Sequence, residues 1–476
     1  MFLKEKQRVK TPFGPGVIQQ IDFEYAHVLL DSSNKLMPVL HKYVTPLEEI
    51  QPIAQTPVTP TPPPENPFRS IPSPVKPQTS MSISSPRQPS RIGTAGARRA
   101  IEALRFGLVP ESHLGSLTIG YDKLSGWTQN HLNPCTENPI NPTISMVIGD
   151  FGTGKSHAMA VVRRIARENG FLTASVEIDG NKVALSRPDE LLHSLWTNLE
   201  LEENTTTTPL LSLYCKAITR NSLPAPDFVI GDHIIDRLHE NYEVVKVVAG
   251  IPDLMDEMAD KLDAVLSGSN VFPTADVIKE LQRHVSCWDF NNHVLRPAIG
   301  RDLVNRPLDF VQNLAGHAQL AKLAGFKGLA ITIDELEIED LQTPQYRERA
   351  INNLSMILKY LVGNEPGLIN APMALFLAGI EGQRFVGQFL EGWISEHIKN
   401  GIWRNPAWNS KDRLELAGRI HSLYLEAYGI SGALPNEKIN VLEGRQKQSI
   451  GADGCWIRGW IRAVTSICDQ TYGPPQ

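Results

Sequence analysis

The stretch Gly149-Asp150-Phe151-Gly152-Thr153-Gly154-Lys155-Ser156, preceded by the apolar run Thr143-Ile144-Ser145-Met146-Val147-Ile148, decides the fold of this chain. It has the G-x-x-x-x-G-K-[ST] pattern of a P-loop. Glycines let successive backbone N–H groups turn inward around a triphosphate, along a path that side chains would obstruct. In such a loop Lys155 reaches the β- and γ-phosphates of ATP and the Ser156 hydroxyl ligates Mg²⁺. The residues after it, His157 to Ala166, predict a helix whose N-terminal dipole points at the phosphates. Strand, loop and helix come in the order the site requires, so every residue from Gly149 to His157 is a candidate nucleotide contact. The alternative is an accidental glycine loop.

A P-loop alone binds nucleotide, whereas hydrolysis needs acids at a second strand end. Gly328-Leu329-Ala330-Ile331-Thr332-Ile333-Asp334-Glu335 supplies a Walker B pattern. The apolar run suits a central parallel strand buried on both faces, and its C-terminal tip falls where open α/β sheets bind ligands. Asp334 would hold Mg²⁺ through water and Glu335 would polarise the attacking water as general base. The bland reading is a strand that ends in two solvated acids.

At 476 residues, 41% hydrophobic and 21% charged, the chain has the length of two to four domains and an ordinary globular composition. Its five cysteines show no C-x-x-C spacing, which implies neither a zinc site nor a disulfide framework and fits a reducing cytoplasm. Lys4, Glu5 and Lys6 stand at the N-terminus without an apolar leader segment, and no uncharged apolar stretch is long enough to span a bilayer. Secretion and membrane insertion are therefore not expected. The net charge of −6 means that contact with DNA would need a local basic patch.

Residues 1–50 alternate short apolar runs with turn residues, predicting a small β-barrel. From Arg8 to Leu47, with Pro12-Phe13-Gly14-Pro15-Gly16 and Asp31, the passage resembles the SH3-like, Tudor-type modules appended to bacterial superfamily 1 helicases. The resemblance implies a docking module. A barrel that merely caps the main domain is the alternative. Residues 51–96 are rich in Pro, Ser, Thr and Gln and read as an extended linker. Arg69, Lys76, Arg87, Arg91, Arg98 and Arg99, with no acid among them, make a weak phosphate-binding arm or a solubilising tether.

The large domain is expected from Ala97, with an ATPase core over 97–400. Phe171 to Asp179 predicts a second strand, and the alternation of strands and helices predicts a parallel sheet covered on both faces. Residues of about 191–316 read as a helical insertion, Tyr346 to Leu354 as a helix beside the acidic strand, and Pro372 to Gly382 as another buried strand. In AAA+ ATPases the end of that strand carries a polar sensor. Here Ile380 or Glu381 stands there, which points to slow or partner-dependent hydrolysis. Residues 401–476 predict a C-terminal helical lid, with Leu414, Leu416, Ile420, Leu423 and Leu425 on apolar positions. The fold class is thus α/β: an AAA+-like P-loop sheet with a helical insertion and lid, preceded by the small barrel.

Several motifs taken together resemble the ATP-binding proteins of bacteriophage-exclusion (BREX) defence islands. They are Ala100-Ile101-Glu102-Ala103-Leu104-Arg105 with Gly107 and Pro110, the loop from Gly149 to His157, Ile333-Asp334-Glu335-Leu336-Glu337, the Arg347 to Leu354 helix and Gly459-Trp460-Ile461-Arg462. The similarity runs from about Ala97 to Asp469. It implies an AAA+-like ATPase acting with helicase or methyltransferase partners in antiviral DNA surveillance. Arg458 is the candidate lid arginine for the γ-phosphate. Arg347 or Arg349 is the candidate finger for a neighbour's site in a homo-oligomer, since charge on the transferred phosphoryl group needs cations. Two other readings are a nucleotide-gated scaffold with little hydrolysis and a P-loop kinase, although no acceptor-activating motif is visible.

Overall fold

The computed structural model describes residues 91–137, 140–201, 208–220, 229–230, 233–234, 236–269, 271–284, 307–361, 371–380, 382, 384–406, 408–448 and 456–473, together with five strands within residues 8–46. The chain divides into two units, residues 1–85 and 86–476.

In the first unit β1 (Arg8–Thr11), β2 (Gly14–Ile21), β3 (Tyr25–Leu30), β4 (Leu36–Leu40) and β5 (Thr45–Pro46) form one antiparallel sheet in the order β4-β3-β2-β1-β5. Gly14, Pro15 and Gly16, expected in a turn, instead open β2 opposite Thr11, Lys10 and Val9. The SH3-like identity rests also on Pro12, Phe13 and Asp31, which lie outside the described residues. So do residues 51–90 of the expected linker.

The second unit begins with α1 (Arg91–Phe106), which starts inside the stretch that composition assigned to the linker. There follow α2 (Leu114–Leu117), α3 (Tyr121–Leu132), β6 (Thr143–Ile148), α4 (Lys155–Glu168), β7 (Leu172–Glu177), α5 (Pro188–Thr197) and β8 (Leu199–Glu200). Next come α6 (Pro209–Arg220), the strand pair β9 (Val229–Ile230) and β10 (His233–Ile234), α7 (Asp236–Ala249), α8 (Pro252–Ser267), α9 (Thr274–His284) and α10 (Pro307–Leu323). The acidic strand β11 (Leu329–Asp334), α11 (Pro344–Leu361), β12 (Met373–Gly379), α12 (Val386–His397) and β13 (Ile402–Arg404) complete the core, and α13 (Ser410–Tyr428), α14 (Asn436–Gln448) and α15 (Trp456–Tyr472) end the chain. Among the described residues no helix is long and apolar enough to cross a membrane.

The six-stranded sheet runs β13-β6-β12-β11-β7-β8, parallel throughout except for the antiparallel β8 edge. Strand alternation sends side chains to two separate cores. Ile144, Met146 and Ile148 of β6, Ile331 and Ile333 of β11, and Leu375 and Leu377 of β12 face one cluster. Val147, Ala330, Ala374 and Phe376 face the other, where they pack against Met159, Val162 and Ile165 of α4 and Trp127 of α3. Helices of the expected insertion share the core of the sheet. Leu213, Tyr242, Met258 and Phe310 from α6, α7, α8 and α10 belong to the first cluster, continuous with the sheet.

A third core joins the two ends of this unit. Ala97, Ala100, Ile101 and Leu104 of α1 pack with Leu416, Ile420 and Leu423 of α13 and with Trp460 and Val464 of α15. The helix expected to open the ATPase core thus packs in the C-terminal bundle that the sequence reads as the lid, and β13, expected within that lid, is a strand of the core sheet. Arg98 of the candidate basic arm donates its Nε–H to the Ala427 carbonyl at 2.7 Å. At the start of α13, Asn409 and Asp412 form a capping box, and Gly429 closes it in the left-handed conformation at φ 62°. Leu414, expected on the apolar face, is 38% exposed. Arg413 is buried in its neighbourhood instead, because Glu443 neutralises it inside the bundle.

Candidate functional site

The P-loop leaves β6 at Ile148 and enters α4 at Lys155. Gly152 and Gly154 take φ values of 74° and 94°, a region that side-chain-bearing residues resist. A Cβ on Gly149 would come within 2.6 Å of Thr153 Oγ1, so the loop can close only over a hydrogen atom. Thr153 Oγ1–H donates to the Asp150 carbonyl at 2.8 Å and fixes the turn. Glycine backbone at these turns suits a loop that must wrap a chain of phosphates.

Asn405, which the sequence did not single out, braces this loop. Its N–H donates to the Ile148 carbonyl at 2.9 Å, and its side-chain amide points to the Thr153 carbonyl at 3.4 Å. Trp403 Nε1–H holds the Asn405 amide oxygen at 3.1 Å. The only local sign was β13, and three residues are too short to stand out by alternation.

On the other side of the loop, β12 lies between β6 and β11, so the acidic tip is one strand removed from the P-loop. Asp334 is 6% exposed and accepts the Glu335 N–H at 2.8 Å. Glu335 itself sits at φ 61°, a left-handed backbone that costs a non-glycine residue about 1–2 kcal/mol. Burial, then the charges of Glu337 and Asp334, push the Glu335 carboxyl above the ordinary carboxylate range, while Lys155 opposes the shift. A raised proton affinity suits a group that must take a proton from water. Glu337, two residues on, brings Oε1 to 3.2 Å from Lys155 Nζ, and Phe151, 59% exposed, lays its ring 5.2 Å from the same ammonium.

The His157 ring is hydrogen-bonded to Thr118, outside the P-loop. Thr118 Oγ1–H donates to the Leu114 carbonyl at 2.6 Å, so its oxygen accepts from His157 Nε2–H at 2.8 Å. Burial of the ring pushes the His157 pKa down to about 4 and keeps the imidazole neutral. On the lid side Arg419 of α13 donates to the Ser116 and Thr118 carbonyls at 3.0 and 2.8 Å. A continuous hydrogen-bonded path therefore links the lid to the first turn after the P-loop.

The three candidate arginines lie against other groups. The Arg347 guanidinium stacks 3.9 Å over Phe385 and Arg349 lies 5.7 Å over Tyr346. Arg458 packs along Gly107, its Cγ only 2.5 Å from where a Cβ on that glycine would stand. Near Arg347, Asp340 Oδ1 accepts the Val386 N–H at 2.9 Å and Oδ2 the Arg384 N–H at 3.1 Å, capping α12. The sensor candidate Glu381 lies outside the described residues.

These residues fit MgATP. Ser156 and Asp334 would hold Mg²⁺. Among the described residues no three His, Cys, Asp or Glu side chains are grouped so as to hold a metal ion by themselves.

A family model described as BREX system ATP-binding protein BrxC/D matches residues 92–223. The match begins in α1, spans the whole P-loop and ends just past α6, so the similarity to that family lies in the segment that holds the P-loop. No curated protein matches the chain.

Proposed function

We propose that this protein is an Mg²⁺-dependent AAA+-type ATPase of a cytoplasmic BREX antiviral defence system, coupling ATP binding and hydrolysis to engagement of DNA or a DNA-processing partner. The observation that carries this reading is the convergence of Lys155, Asp334 and Glu335 at the C-terminal ends of parallel strands. The two motif strands are separated by β12, whose end would present a sensor. Mg²⁺ would supply charge neutralisation for the phosphates. Lys155 would hold the transferred phosphoryl group and Glu335 would take the proton of the attacking water.

A second reading, a nucleotide-gated scaffold with little hydrolysis of its own, draws on the placement of Arg347, Arg349 and Arg458 against Phe385, Tyr346 and Gly107. An arginine for the γ-phosphate must then arrive by lid movement, from a second copy in a homo-oligomer, or from a helicase or methyltransferase partner. Steady-state ATP hydrolysis with and without duplex and single-stranded DNA separates the readings. A turnover raised by DNA and lost in Glu335→Gln supports the ATPase. Tight ATP binding without turnover under every condition leaves the scaffold.

A further inference from the structure

The Lys155 side chain is 7% exposed, and a charge on a side chain so enclosed requires a counter-charge. Its nearest oxygens are Glu337 Oε1 at 3.2 Å and the Asp150 carbonyl at 3.5 Å. Glu337 is 8% exposed, and neither of its carboxylate oxygens has a hydrogen-bond partner. A buried carboxylate normally collects backbone or side-chain donors. Here it faces a single ammonium, and that ammonium belongs to the P-loop.

We propose that Glu337 competes with the triphosphate for Lys155, so that ATP binding is an exchange of one anion for another at Lys155 Nζ. One ammonium cannot give its donors fully to both. Once Lys155 turns to the phosphates, the Glu337 carboxylate stands buried without its counter-charge, and the Mg²⁺ that comes with the nucleotide would offset it. Glu337 is thus a positioning residue that makes nucleotide affinity depend on Mg²⁺ more steeply than Asp334 and Ser156 alone would. This inference rests on the ATP-binding reading above.

The test is equilibrium titration of the full chain with a fluorescent ATP analogue, once with Mg²⁺ and once with EDTA, for wild type, Glu337→Gln, Lys155→Ala and the double variant. Glu337→Gln should bind the metal-free analogue about tenfold more tightly than wild type and gain less from Mg²⁺. The gain should vanish when Lys155 is also replaced, which a merely structural role for Glu337 would not produce. Should Glu337→Gln not fold, Glu337→Asp withdraws the carboxylate while keeping its charge and should shift metal-free affinity in the same direction by a smaller factor. Binding by wild type with no tightening in either variant, or a gain that survives loss of Lys155, overturns the exchange alone. No binding by folded wild type under either condition overturns the ATP-binding reading itself, and the exchange with it.

Discussion

Two buried ion pairs of the same formal charge lie in different regions of the second unit and are built differently. In the lid bundle Arg413 and Glu443 have side-chain exposures of 9% and 7%; in the P-loop crevice Lys155 and Glu337 have 7% and 9%. The lid pair is bidentate, with Nε and Nη2 donating at 2.7 and 2.6 Å, and Arg413 Nη1–H adds the Trp408 carbonyl at 2.8 Å. The crevice pair is a single 3.2 Å approach that leaves both Glu337 oxygens without a hydrogen bond. Equal burial removes solvation as the explanation. The lid satisfies its charges internally and so fixes a structure, whereas the crevice leaves capacity that a ligand can use.

That contrast can be broken by experiment. Glu443→Ala strands the Arg413 guanidinium and should cost about 3–5 kcal/mol in denaturant unfolding. A loss below 1 kcal/mol, on the order of a surface pair, would show that the lid pair is not structural.

Glu339 is the crevice-side acid whose cost shows in a pH profile. It is 0% exposed, accepts the Leu185 N–H, and keeps Oε2 without a partner, and burial pushes its pKa from 4.5 up to about 7. Its folded pKa lies above its unfolded one, so its contribution is complete below pH 4.5 and is lost as pH rises through about 7. Glu339→Gln should therefore gain up to about 3 kcal/mol on wild type at pH 8, with the difference fading toward pH 4.5. His157 and His317, both pushed down to about 4, act in the opposite sense, but they are common to both proteins and cancel in the difference. A difference that does not change with pH would contradict the assignment.

The smallest effect belongs to Glu337→Gln, at about 1 kcal/mol of stability, because relief of repulsion with Asp334 and Glu335 offsets the lost pair. A loss as large as that of Glu443→Ala would erase the distinction between the two regions.

What was legible in the sequence follows the same division. The P-loop and the Asp334–Glu335 tip could be read because glycine backbone and strand-end acids are local requirements, met within eight residues each. The apolar run of β11 showed a strand buried on both faces and that of β12 a buried strand, which they are. Long-range choices were hidden. Nothing in Ala97 to Leu104 tells that this amphipathic face meets α13 and α15 rather than the sheet, since an apolar stripe does not name its partner. Leu414 looked like core because burial of Arg413 depends on Glu443, thirty residues away. Asn405 was overlooked, and Glu337, though part of a quoted motif, was given no role, because their contacts arise from neighbours across the sheet and not from spacing.

The measurement that tests the account most directly is equilibrium binding of ATP with Mg²⁺ to folded wild type and to Lys155→Ala, with melting curves as the control for folding. The account predicts saturable binding by wild type and an affinity about tenfold to a hundredfold weaker in the variant. Equal binding by the two proteins, or none by wild type, would contradict the claim that Gly149 to Ser156 and the Asp334 tip form a nucleotide site.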